Sequence, residues 1–158
     1  MVVQATATHT RHDPHVVPAS GRQARYVRLA ALPSAVPWAR RVLRHMLAEW
    51  QLESMADTAV LLVSELVTNA VQASAGRSAH GELPMIGLAI RMTAASLAVW
   101  DPSPLRPVRQ DADIARDRGR GLLLIDALAD SRGHHASDGS KVVWCAVAVA
   151  SASTSADR

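Results

Sequence analysis

The chain has 158 residues, 49% of them hydrophobic and 20% charged, and its 17 basic and 14 acidic side chains give a formal net charge of +3. That length suits one domain with a core large enough to fold without disulfides or a structural metal, and the single cysteine, Cys145, permits no internal disulfide. The small excess of charge, with four Trp and one Tyr for base stacking, does not carry a nucleic-acid reading, although the pI is about 10.0. Neither export nor membrane spanning is expected, because Ser64, Glu65, Thr68 and Asn69 interrupt the longest apolar helical stretch. A reducing, cytoplasmic setting fits.

Residues 1–24 mix Thr, His, Pro, Ser and Gly without an apolar period and read as a flexible arm, with a domain over 25–150 and a disordered tail over 151–158. Order is expected to begin at Arg25-Tyr26-Val27-Arg28-Leu29, whose alternation suits a half-buried strand. Ser34 then reads as the cap of a helix reaching Trp50, with Trp38, Val42, His45 and Met46 on one face and Arg40, Arg41 and Arg44 largely elsewhere.

A second helix is expected over Ser54–Ser74. Ala59, Leu62, Val63, Leu66, Ala70 and Ala73 recur at helical spacing, Ser64, Glu65, Thr68, Asn69 and Gln72 form a polar stripe, and Gly76 stops the helix. Met85–Met92 and Leu97–Trp100 read as strands joined by a short turn. The stretch from Asp101 to Arg118 is a long loop, and a loop of that length in a compact domain is functional or disordered. Gly119-Arg120-Gly121 opens a helix over Leu122–Ala129, followed by strands near Arg132–Ser137 and Lys141–Ala150. Strands and helices do not alternate regularly, so the expected fold class is α+β, a two-layer sandwich with a mixed, mostly antiparallel sheet and helices on one face.

Glu65 and Asn69 stand at i and i+4 and share a helix face. A carboxamide oxygen suits Mg2+, and a carboxylate beside it can take a proton from a hydroxyl attacking a phosphate; the alternative is an exposed polar stripe. Asp101, at the end of a strand, can accept a hydrogen bond from an exocyclic amine or can simply end the strand in an Asp-Pro turn. Glycines at the start of a helix let backbone N–H groups approach phosphate, or serve as a plain loop-to-helix turn. Neither a Walker loop nor the dinucleotide Gly-x-Gly-x-x-Gly fingerprint occurs.

The ordered set LLVSELVTNAVQAS (61–74), VWDPSP (99–104), GRGLLLIDALAD (119–130) and SKVVW (140–144) resembles the GHKL, or histidine-kinase-like, ATPase family over residues 25–150. Within it, the resemblance is to the bacterial anti-sigma-factor serine/threonine kinases. It implies ATP and Mg2+ as cofactors, with Glu65 as the general base, Asn69 holding Mg2+ against the phosphates and Asp101 binding the adenine amino group. Gly119, Arg120, Gly121 and Leu122 would form the phosphate-facing end of a closing loop. The implied activity is phosphorylation of an anti-sigma-factor antagonist on Ser or Thr, with a sigma factor as the alternative protein ligand in a partner-switching circuit. A homodimer is also compatible; direct nucleic-acid or membrane binding is not implied. The other reading is a non-catalytic module of the same fold that sequesters a regulator, with ATP structural or absent.

Two positions depart from the family pattern. Ser103, between Pro102 and Pro104, stands where a nucleotide-contacting glycine is expected and stiffens that part of the site. The last strand, which usually brings a Thr toward the nucleotide, offers Val142 at the equivalent position unless Ser140 substitutes. His134 and His135 read as solvent-facing strand residues, and Cys145 as a small core residue.

Overall fold

The computed structural model describes residues 24–77, 82–91, 96–101, 120–137 and 140–148. Residues 1–23, 78–81, 92–95, 102–119, 138–139 and 149–158, on which the expected arm, long loop, turns and tail fall, lie outside them. In chain order the elements are β1 (Ala24–Ala30), α1 (Ala35–Glu49), a 3-10 turn (Glu53–Met55), α2 (Ala56–Ser74), β2 (Met85–Arg91), β3 (Ser96–Asp101), α3 (Arg120–Leu128), β4 (Ser131–Ser137) and β5 (Ser140–Ala146).

The strands form one sheet in the order β1-β2-β3-β5-β4, and every pair is antiparallel, so the mostly antiparallel sheet expected from the sequence has no parallel pair. Short chain reversals between β2 and β3 and between β4 and β5 permit this, whereas parallel neighbours would need long crossovers. Val27, Leu29, Ile86, Leu88, Ile90, Val99, Val143 and Cys145 lie on one side of the sheet and pack against the helices. Burial pushes the Cys145 thiol up to about 12, which keeps it protonated and consistent with a packing role.

The apolar period of α2 places Ala59, Leu62, Val63, Leu66, Val67 and Ala70 in the core, while Ala73 is half-buried at its edge. By length and composition Glu53–Ser74 is apolar enough to cross a membrane, yet half of that stretch is buried inside the domain. Gly76, at φ 75°, turns the chain out of the helix in a conformation that favours glycine.

Three expectations are corrected. Ser34 makes no side-chain cap to α1; the 3-10-like turn before the helix is closed instead by the Ala35 N–H bonded to the Leu32 carbonyl at 2.8 Å. The buried stripe of α1 is Ala35, Ala39, Leu43, Met46 and Leu47, with Trp38 and Val42 at its flank. His45 points outward, 3.4 Å from Glu49 one turn on. Finally, β5 stops at Ala146 rather than Ala150.

Candidate functional site

Ser64 leaves the expected polar stripe altogether: it is buried, and its hydroxyl donates to the Val60 carbonyl at 2.5 Å. The same oxygen accepts the Arg40 Nε–H at 2.6 Å, so a guanidinium on α1 ties that helix to α2 one residue before Glu65. The buried Ser64 hydroxyl is thereby satisfied as donor and acceptor, while Arg40 itself stays exposed. Glu65, Thr68 and Asn69 follow as a half-buried face, and Gln72 is exposed.

Gly121, in the first turn of α3, packs directly on Glu65. A Cβ at position 121 would occupy the space now held by the Glu65 carboxylate, so glycine is what lets that carboxylate lie against the start of α3. Farther along α3, Asp126 pairs with Arg132 of β4 and fixes the helix against the sheet edge. The helix-opening glycine and the Glu65–Asn69 face, 56 residues apart for Gly121 and Glu65, thus become neighbours.

The prediction for position 121 follows from geometry. Gly121→Ala pushes the flexible end of Glu65 aside rather than moving backbone, so thermal stability is expected to stay within about 1 kcal/mol of wild type. Any function of the Glu65 carboxylate is expected to fall by about tenfold or more, because an ångström of misplacement is costly to catalysis. Thermal melting and turnover measured on one preparation check both halves.

Asp101 ends β3 on the helix-facing side of the sheet and is buried. Its Oδ2 lies 3.3 Å from the Lys141 ammonium, whose side chain is 11% exposed. The β3–β5 register explains the contact. Asp101 stands opposite Lys141, while Val142 stands opposite Trp100 and therefore on the other side of the sheet. Ser140, two residues before Val142, shares that other side. Of the last strand's residues, Lys141 thus shares the helix-facing side of the sheet with Asp101, and Val142 and Ser140 do not. A signal was present in the sequence: 16 of the 17 basic residues are Arg, and Lys141 is the one Lys.

Glu65 and Gly121 thus meet, with Asn69 one turn on along the same half-buried face of α2, and α2 also packs across β3, which ends in the Asp101–Lys141 pair. Ser103 and Gly119, together with the side chains of Arg120 and Leu122, lie outside the described residues. Among the described residues no three His, Cys, Asp or Glu side chains converge to hold a metal by themselves.

A separate cleft opens between α1, α2 and the end of α3, lined by Arg40, Arg44, Asp57, Leu61 and Leu128 among others. Arg44 pairs across it with Asp57 at 3.5 Å in an exposed contact, and Leu61 is 44% exposed.

No curated protein matches the chain. Among solved structures, the chain is similar to the crystal structure of the RsbU and RsbW domains of Rv1364c from Mycobacterium tuberculosis. The TM-score is 0.53 and the identity 20%, over 79% of this chain and 32% of that one. The match therefore spans about a third of that longer protein and speaks to the fold. The family model for the histidine kinase-like ATPase domain matches residues 29–146, from the end of β1 to the end of β5. With well over half of its length matched, the chain belongs to the histidine kinase-like ATPase domain family.

Proposed function

We propose that this chain is an ATP- and Mg2+-dependent serine/threonine kinase of the anti-sigma-factor type, which binds a partner regulator and phosphorylates it. The observation that carries the reading is the approach of Gly121 to Glu65. It joins the one carboxylate suited to a general base to the helix start whose backbone N–H groups suit phosphate. Membership of an ATPase-domain family supports the choice of nucleotide.

The residues fit such a ligand. A buried carboxylate ends β3 on the helix side, and a glycine keeps open the approach to α3. Asn69 would hold Mg2+ through its side-chain oxygen, a donor suited to an ion that takes few protein ligands and keeps several waters. When bound, ATP supplies the γ-phosphoryl group and Mg2+ offsets its charge. Asn69 orients the ion through its side-chain oxygen. Glu65 accepts the proton of the partner's hydroxyl as that oxygen bonds to phosphorus and the bond to the ADP oxygen breaks. Asp101 accepts a hydrogen bond from the base. Gly119, Arg120, Gly121 and Leu122 would form the phosphate-facing end of the closing loop, and Ser103 would contact the nucleotide two residues after Asp101.

The partner in this reading is an anti-sigma-factor antagonist, with a sigma factor as the competing ligand, and the setting is the cytoplasm. The cleft beside Arg40 and Arg44, with Leu61 exposed at its edge, supplies a basic and apolar surface apart from the Glu65 cluster. Docking and phosphoryl transfer can therefore be separated by substitution.

Calorimetric titration of ATP, with Mg2+ and with chelator, tests the reading. Wild type is expected to bind in a Mg2+-dependent manner, and Asn69→Ala to lose about tenfold or more in affinity with Mg2+ present but little with chelator. Absence of ATP binding would overturn the kinase in favour of a binding module that sequesters its partner without nucleotide.

A further inference from the structure

Arg40 bridges α1 to the buried serine that precedes Glu65. Its Nε–H donates to Ser64 Oγ at 2.6 Å, and that hydroxyl donates in turn to the Val60 carbonyl, one turn back in α2, at 2.5 Å. The guanidinium hangs from well-anchored backbone, because Ala39 beside it and Leu43 three residues on are fully buried. A serine that bonds back to the carbonyl four residues earlier competes with the helix's own ladder at that turn and biases its curvature. The turn in question, Val60–Ser64, ends immediately before Glu65. Helix α3 lies along the same stretch, with Gly121 against Glu65 and Leu128 lining the cleft beside Arg40.

We infer that Arg40 is a positioning residue for Glu65: by holding the Ser64 hydroxyl in its back-bonded rotamer, it fixes the turn of α2 from which the Glu65 carboxylate reaches Gly121. The inference rests on the reading of Glu65 as the proton acceptor. A hydroxyl has one hydrogen, and Ser64 spends it on Val60. The same oxygen keeps lone pairs for a donor, and the Arg40 Nε–H takes one of them. A charged donor makes the stronger kind of hydrogen bond, so one rotamer of Ser64 is favoured and with it one curvature of the turn. A change of curvature there swings the neighbouring Glu65 carboxylate relative to the start of α3, and a displacement of about 1 Å can cost a reaction about 100-fold. The link leaves Asp101, paired with Lys141 at the end of β3, untouched.

Single-turnover transfer of labelled phosphate from ATP to an anti-sigma-factor antagonist, followed over a range of antagonist concentration, tests this on the full chain. Ser64→Ala, Arg40→Met and their combination are each made in the wild-type and in the Glu65→Gln chain. At saturating antagonist, each single substitution is expected to slow transfer by about tenfold, and the double variant no more than either alone, because both break one link. In the Glu65→Gln chain the same substitutions are expected to change the residual rate by less than about twofold. ATP affinity is expected to stay within about twofold of wild type and melting close to it, since alanine suits a helix and Met keeps most of the length of the Arg40 stem. Transfer by Ser64→Ala at the wild-type rate overturns the inference and leaves the kinase standing. A fall of equal size with and without the Glu65 carboxylate overturns it too, because a merely structural tie acts whatever stands at position 65. If Arg40→Met only raises the antagonist concentration needed for half-maximal transfer while Ser64→Ala is silent, Arg40 docks the partner and does not position Glu65. Absence of transfer by the wild type overturns the kinase reading and this inference with it.

Discussion

Glu65→Ala is expected to lower phosphoryl transfer to an anti-sigma-factor antagonist by about 100- to 10,000-fold, with ATP affinity held within about twofold. The carboxylate sits against Gly121, at the helix start assigned to phosphate, so its loss removes a proton acceptor while Asp101 and Lys141 keep their own pairing. Because Glu65 is half-buried at the helix surface and lies beside a glycine, truncation leaves little void and the fold is expected to persist. Single-turnover transfer of labelled phosphate, measured beside calorimetric ATP binding, separates the two effects. A variant that transfers at the wild-type rate would remove Glu65 from the chemistry. A variant that loses ATP binding in proportion to transfer would make Glu65 a binding residue. Glu65→Gln sharpens the result, since it keeps the shape against Gly121 but cannot take the proton at neutral pH.

The same geometry explains which parts of the molecule were legible in the sequence. The α2 period is strong because its buried positions other than Ser64 and Ser74 are apolar, so its main buried face and its Glu65–Asn69 pair are legible directly. The face of α1 was read one position off. Trp38 and Val42 are apolar enough to resemble a core stripe, but Ala39 and Leu43 are the positions that fit against α2. Ser64 shows a second limit. In a helix sequence a serine beside a glutamate looks solvent-facing, and the guanidinium that accounts for its burial comes from Arg40, 24 residues earlier. No local pattern encodes such a partner. Lys141 shows a third: strand register decides which side of the sheet a residue takes, and a one-residue difference moves it to the other side. Motif spacing puts Val142 at the position equivalent to the family's Thr, while the register sets Lys141 and not Val142 on the side of the sheet that holds Asp101.

The second large effect concerns that pair. Asp101→Ala is expected to abolish detectable nucleotide binding and to destabilise the domain by about 3–5 kcal/mol, because it leaves the buried Lys141 ammonium without its opposite charge. For a chain of this size, that corresponds to a fall in melting temperature of about 10 °C or more. Exposed pairs behave differently: breaking Arg44–Asp57, where both side chains are more than half exposed, should cost less than about 1 kcal/mol. The test is a cycle. Lys141→Met combined with Asp101→Ala removes both charges and is expected to recover most of the lost stability, since replacing a buried ion pair by apolar groups is often neutral. Nucleotide binding is not expected to return, because the base has lost its acceptor. If the double variant melts as low as Asp101→Ala alone, the two residues do not act as a coupled buried unit, and the destabilisation must come from other contacts of Asp101. If it melts near wild type and still binds no nucleotide, Asp101 has two separable roles, one holding the end of β3 against β5 and one facing the ligand.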